Sequence, residues 1–147
     1  MMRSTLWTAL ALILGVASAL ADPLCDDLGF SGLLASCNRG PDIQITLASG
    51  KPLGEDVILR SGAYYKMIIT ADGSAELAIA GPAFFRAIWM DEVVINDIEI
   101  RPMAIDSIEF DDAGQAALSF IAIKPGRYVV GIPGARGATQ EIAIQIQ

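Results

Sequence analysis

The chain has 147 residues, carries 17 acidic against 10 basic side chains for a net charge of −7, and contains no histidine. That charge disfavours nucleic acid and anionic membrane surfaces as partners. The lack of histidine excludes His-based hydrolytic triads and every imidazole metal site.

The chain opens with Met1-Met2-Arg3-Ser4, one positive charge ahead of an apolar run over residues 6–16. Ala17-Ser18-Ala19-Leu20-Ala21 then supplies small residues. Basic start, apolar middle and small-residue cleavage site make a secretory signal peptide over residues 1–21. Two A-x-A sites overlap, and the second leaves a mature chain that starts in polar sequence at Asp22-Pro23. The apolar run is shorter than the ~20 residues of a spanning helix, which weighs against an uncleaved anchor. No later run is long enough to span a bilayer. Cleavage removes Arg3 and no acid, so the mature chain is more acidic still. The expected location is periplasmic or secreted.

Cys25 and Cys37 are the only cysteines. In an oxidising compartment such a pair predicts a disulfide rather than a metal site. A straight helix across that spacing would hold the Cα atoms about 18 Å apart, beyond the ~7 Å a disulfide tolerates. The segment must therefore turn back, and Gly29 and Gly32 allow it. Residues 22–41 read as a disulfide-clipped lead-in, with Leu24, Leu28, Leu33 and Leu34 permitting a helical turn or two. The spacing is not the C-x-x-C of a redox dithiol.

From Asp42 onward the apolar signal has period two. Ile43, Ile45 and Leu47 form one such row; Tyr65, Met67 and Ile69 a second; Leu77 and Ile79 a third. Val94, Ile98 and Ile100 face away from Asp97, Glu99 and Arg101, and Ile142, Ile144 and Ile146 close the chain. Turns at Gly50-Lys51-Pro52, Asp72-Gly73-Ser74, Gly81-Pro82, Asp111-Asp112-Ala113-Gly114, Pro125-Gly126 and Pro133-Gly134 punctuate these runs. About eight short strands in residues 42–147 predict an all-β fold, an antiparallel sandwich or Greek-key barrel.

The stretch from Ile108 to Ile146 is the most informative. A strand ends near Phe120, Lys124-Pro125-Gly126-Arg127-Tyr128 turns into the next, and that strand ends in Pro133-Gly134-Ala135 before a last one. This pattern resembles the C-terminal half of cupredoxins, the blue-copper fold. The resemblance implies a cupredoxin-like sandwich. It also implies ligand positions that fall on Val130 for the cysteine, Ala135 for a histidine and, near Thr139, for the axial methionine. A blue-copper site needs a thiolate and two imidazoles. Val130 and Ala135 offer neither, so these positions read as vacated and no type 1 copper cofactor is expected.

Other chemistry finds little support. A Ser-Lys dyad with Lys51, Lys66 or Lys124 has no motif behind it, and there is no Gly-rich phosphate loop. Acidic pairs stand at Asp26-Asp27, Asp91-Glu92 and Asp111-Asp112. Of these, Asp111 and Asp112 are the candidates for a carboxylate site for a hard cation such as calcium. One stretch, Pro82 to Met90, breaks the alternation. As a strand it would carry large apolar groups on both faces, which marks Phe84, Phe85, Trp89 and Met90 as a candidate partner surface. Core packing is the alternative for these four.

The expectation is a non-enzymatic binding or accessory protein that contacts another exported protein. A redox enzyme is suggested by fold analogy alone. The carboxylate cation binder is the competing reading.

Overall fold

The computed structural model describes residues 24–147; the expected signal peptide lies outside the described residues. Two five-stranded sheets face each other. The strands are β1 (Ile43–Leu47), β2 (Val57–Leu59), β3 (Tyr64–Ala71), β4 (Leu77–Ala80), β5 (Ile88–Ile95), β6 (Ile98–Ile100), β7 (Ser107–Phe110), β8 (Gly114–Ala122), β9 (Gly126–Gly131) and β10 (Glu141–Ile146). The first sheet has the order β1-β3-β8-β5-β6 and the second β2-β10-β9-β4-β7.

The period-two rows become the inner faces. Ile43, Ile45, Leu47, Met67, Ile69, Leu118 and Phe120 from one sheet meet Leu59, Ile79, Val130, Ile142, Ile144 and Ile146 from the other, all buried. Apolar burial on this scale is the main favourable term for folding. A ring cluster thickens one part of the core. Phe84 packs edge-on to Phe120 at 5.5 Å between centroids and lies 6.3 Å from Tyr128.

Most neighbours are antiparallel, as the turns predict, but two pairs are parallel: β1 with β3, and β2 with β10. The cause is topological. β1 and β3 run the same way because β2, between them in sequence, lies in the opposite sheet and serves as their crossover.

Two local readings change. Residues 94–101 are not one strand. Asn96 and Asp97 adopt φ of 49° and 64°, the left-handed pair of a two-residue hairpin turn. Ile95 therefore pairs with Ile98, and Val93 with Ile100. The second change is at Pro82–Phe85, which forms a single helical turn, α1, rather than strand. Pro82 sits in its first turn, where a fixed φ suits a helix and no amide proton is needed.

The strand directions define two ends. The lead-in, the β2–β3 loop, the start of β5 and the β8–β9 turn share one, here the disulfide end. The turns at residues 72–76 and 111–113 and the loop at residues 132–140 share the other, the groove end.

Candidate functional site

At the disulfide end, Cys25 and Cys37 form the expected disulfide, with Cα atoms 5.7 Å apart. The chain between them turns back through a 3-10 stretch, Gly29–Leu34, broken at Gly32 with φ of 55°. No residue of that stretch is buried. Its anchor is Asn38, fully buried. The Asn38 side-chain amide donates to the Leu33 and Gly62 carbonyls, each at 2.9 Å, and its carbonyl oxygen accepts from the Leu24 N–H at 2.8 Å. Every polar atom of this buried side chain thus has a partner, as burial demands. The sequence reading missed Asn38, since one asparagine beside a cysteine carries no pattern.

Beside it lies a polar network on the outer face of the first sheet. Tyr64 is buried although it points away from the core, because Arg39 stacks over its ring at 4.2 Å. The Tyr64 hydroxyl donates to Asp91 at 2.9 Å. Arg101 donates to Asp91, Glu92 and Glu99 at 3.0, 3.3 and 3.3 Å. The Asp91-Glu92 pair is therefore held in ion pairs. Burial pushes the Tyr64 phenol above its ordinary range; the contact with Asp91 adds to this, while Ser119 and Arg39 act against it.

The four residues of the candidate partner surface separate. Phe84, Phe85 and Met90 are buried in the core, and only Trp89 is exposed. The correction follows from α1. Its one turn packs against β9 and β5 and delivers both phenylalanines inward.

At the groove end, the three positions that the resemblance marks differ in burial. Val130 is buried in mid-sheet opposite Ile142, and a Cβ placed on Gly81 would stand 2.7 Å from its side chain. Ala135 and Thr139 are exposed in the loop beyond. That loop is held by the Ile132 N–H to the Gln140 carbonyl at 3.0 Å and by the Leu53 N–H to the Thr139 carbonyl at 2.8 Å. It lines an open groove of about 330 Å³ that includes Ile132, Ala135, Arg136, Gln140 and Glu141. Its lining mixes small and apolar residues with one cation, Arg136, and one carboxylate, Glu141, and has neither thiolate nor imidazole.

Carboxylates gather at the same end. Glu76, Glu109 and Asp111 have oxygens within 4.8 Å of one another, all exposed. Asp112 is not among them, because its carboxylate accepts from the Ala113 N–H at 2.7 Å. Glu109 is held above its ordinary range, first by a shared hydrogen bond and charge repulsion with Glu76, then by desolvation and by Asp111. Asp72 moves the other way, lowered chiefly by hydrogen bonds from Ser74. The sequence flagged Asp111; it could not show Glu76 and Glu109, which meet only through the β4–β7 pairing.

Two facing sheets, ten strands and this loop arrangement define a cupredoxin-like β-sandwich. Solved structures agree. The chain superposes on a multi-copper oxidase from Pseudomonas thermotolerans with a TM-score of 0.54 and 12% identity, over 73% of this chain and 29% of that one. A multicopper oxidase from Campylobacter jejuni gives 0.50 at 8% identity, over 74% and 30%. A laccase-like multi-copper oxidase from an Ochrobactrum species gives 0.50 at 11%, over 67% and 23%. The chain thus spans less than a third of the length of each of these structures. No protein-family profile matches it, and no curated protein sequence does.

Proposed function

We propose that the protein is an exported, non-catalytic accessory module that keeps a cupredoxin-like frame without a type 1 copper site and acts by contacting another exported protein. The observation that carries this reading is the groove end itself. Where the resemblance puts ligands, the chain has a packed valine and an open loop of small residues. At the same end of the sandwich, in the turns at residues 72–76 and 111–113 and on β7, stand Asp72, Glu76, Glu109, Asp111 and Asp112. Glu76, Glu109 and Asp111 have no ion pair among the described residues. A surface of this sign favours a partner with a basic face and speeds its encounter at low salt. Fold analogy puts a redox enzyme first among partners to test.

The test is cross-linked capture of the exported protein from its own compartment, repeated with Glu76→Lys and Asp111→Lys together. The expected result is a defined partner whose capture falls with added salt and with the charge reversal. Capture unchanged by both would defeat the reading.

The converging carboxylates favour a second reading, a hard-cation site on Glu76, Glu109 and Asp111. Calcium takes six or more oxygens, so water would complete the shell. Calorimetry with calcium chloride decides it: no heat, and no rise in melting temperature, removes this reading.

A further inference from the structure

Six of the eleven exposed large apolar side chains among the described residues lie at the opposite end; Ile58, Ile98, Ile100, Met103 and Val129 are spread elsewhere. Leu24, Phe30, Leu33, Leu34, Trp89 and Ile123 are all exposed, and Phe30 is completely so. They come from three segments that hydrogen bonds tie into one surface. Asn38 bonds both Leu33 and Gly62, the Gly62 N–H donates to Ala122 at 2.7 Å, and the Ile123 N–H donates to Ala87 at 3.0 Å. Trp89 pairs with Ile121 and Ile121 with Tyr64, which carries the lead-in through Arg39.

The chain's path says what meets this surface. The leader expected at residues 1–21, apolar over residues 6–16, precedes the described fold, which begins at Leu24, and the Leu24 N–H is itself bonded to Asn38. Only Asp22 and Pro23 intervene. A stretch that short spans about 10 Å at most, comparable with the headgroup layer of a bilayer. While such a leader is attached and inserted, it holds the disulfide end within reach of the lipid; after cleavage the apolar patch itself must supply the attachment. The chemistry of the patch agrees. Tryptophan, phenylalanine and leucine on a polar scaffold partition into the interface. Several charges there are used locally: Arg86 pairs with Asp106, Arg39 stacks on Tyr64, and Asp27 accepts from the Gly29 N–H. The overall negative charge is a property of the far end more than of this one.

We infer that the disulfide end is a membrane-resting surface, engaging the interface of a zwitterionic bilayer through Phe30, Leu33, Leu34 and Trp89 while the acidic groove end faces away. The proposal goes beyond the partner reading, and the two fail separately. Without its leader the protein keeps Trp89 as its single tryptophan, because the other is Trp7. The experiment uses the exported protein, freed of its leader, and phosphatidylcholine vesicles with and without phosphatidylglycerol. The expected result is co-sedimentation with the phosphatidylcholine vesicles, weaker where phosphatidylglycerol is present, and a blue shift of Trp89 emission. Phe30→Asp with Leu34→Asp should lower the bound fraction roughly tenfold or more, since each loses a buried apolar side chain. Ile58→Asp, on the exposed face of the second sheet, should leave binding unchanged. Absence of co-sedimentation and of a blue shift overturns the proposal. So does binding that ignores the Phe30 and Leu34 changes or falls equally with Ile58→Asp. A patch that is needed for protein capture but takes up no lipid overturns it as well.

Discussion

The loop at residues 132–140 and the segment at residues 24–38 cap opposite ends of one sandwich and are built from opposite materials. The first is short, rich in glycine and alanine, and shares its end of the sandwich with the exposed carboxylates Glu76, Glu109 and Asp111, which have no ion pair among the described residues. The second exposes leucine and phenylalanine, is closed by a disulfide, and is anchored by one buried asparagine. Both are surface features on a shared core, so either can change chemistry without changing the fold. The loop that the resemblance associates with metal binding offers neither thiolate nor imidazole. The opposite end carries a disulfide-constrained apolar surface that the strand pattern does not require.

The comparison depends on a core that is indifferent to both ends, and the largest effect should come from damaging that core. Phe84 is fully buried and touches the rings of Phe85, Phe120 and Tyr128. Phe84→Ala should cost about 3–5 kcal/mol through lost burial and a residual cavity. The loss appears as a lower denaturant midpoint with unchanged slope. A cost under about 1 kcal/mol would mean that α1 belongs to the surface, reopening the question of a partner face there.

Removing the disulfide should have a smaller and more local effect. The chain-entropy model gives about 3 kcal/mol for closing a loop of this size. Gly29–Leu34 contributes no buried residue, and the segment's buried contacts are Ala35 and Asn38. Cys25→Ser with Cys37→Ser should therefore lower global stability by less than that full amount. Proteolytic cleavage should become selective within residues 24–38, the sandwich surviving as a resistant fragment. Global unfolding instead would show that the two ends are energetically coupled through Asn38 and Gly62.

Alternation made the sandwich legible, because each inner row, such as Ile142, Ile144 and Ile146, needs only a two-residue period to declare its face. The Pro-Gly turns ordered the last strands well enough to suggest the cupredoxin frame. Residues 94–101 misled because alternation continues across Asn96-Asp97, and a two-residue turn preserves apparent parity. The stretch from Pro82 to Met90 misled for a different reason. Dense apolar sequence reports burial without saying whether neighbours or a partner supply it, and here the core of the sandwich takes Phe84, Phe85 and Met90 while Trp89 stays exposed. The carboxylate group was half visible: Asp111 sits in a readable turn, while Glu76 and Glu109 meet across a strand register that no local pattern specifies. Tyr64, buried on the outward side, defeats a two-face reading altogether, since its cover comes from the lead-in.

The smallest effect tests the acidic end most directly. Glu109 holds its proton above the ordinary glutamate range because Glu76 and Asp111 face it. The sign follows from linkage. A carboxyl whose folded pKa is raised favours the folded state below its unfolded pKa, and that advantage fades as pH rises through the folded value. At neutral pH the repulsion among these exposed carboxylates is present, screened by solvent and salt. Glu109→Gln should therefore leave stability unchanged or slightly higher at neutral pH. It should also flatten the mildly acidic part of the stability–pH curve just above the ordinary glutamate range. Melting temperatures across that range at low and high salt check it. If calcium raises the wild-type melting temperature at neutral pH and the substitution abolishes the rise, the cation reading gains the acidic end. If salt alone accounts for the difference, the carboxylates act as a field toward a basic partner, and the contrast between the two ends is one of charge against apolar surface.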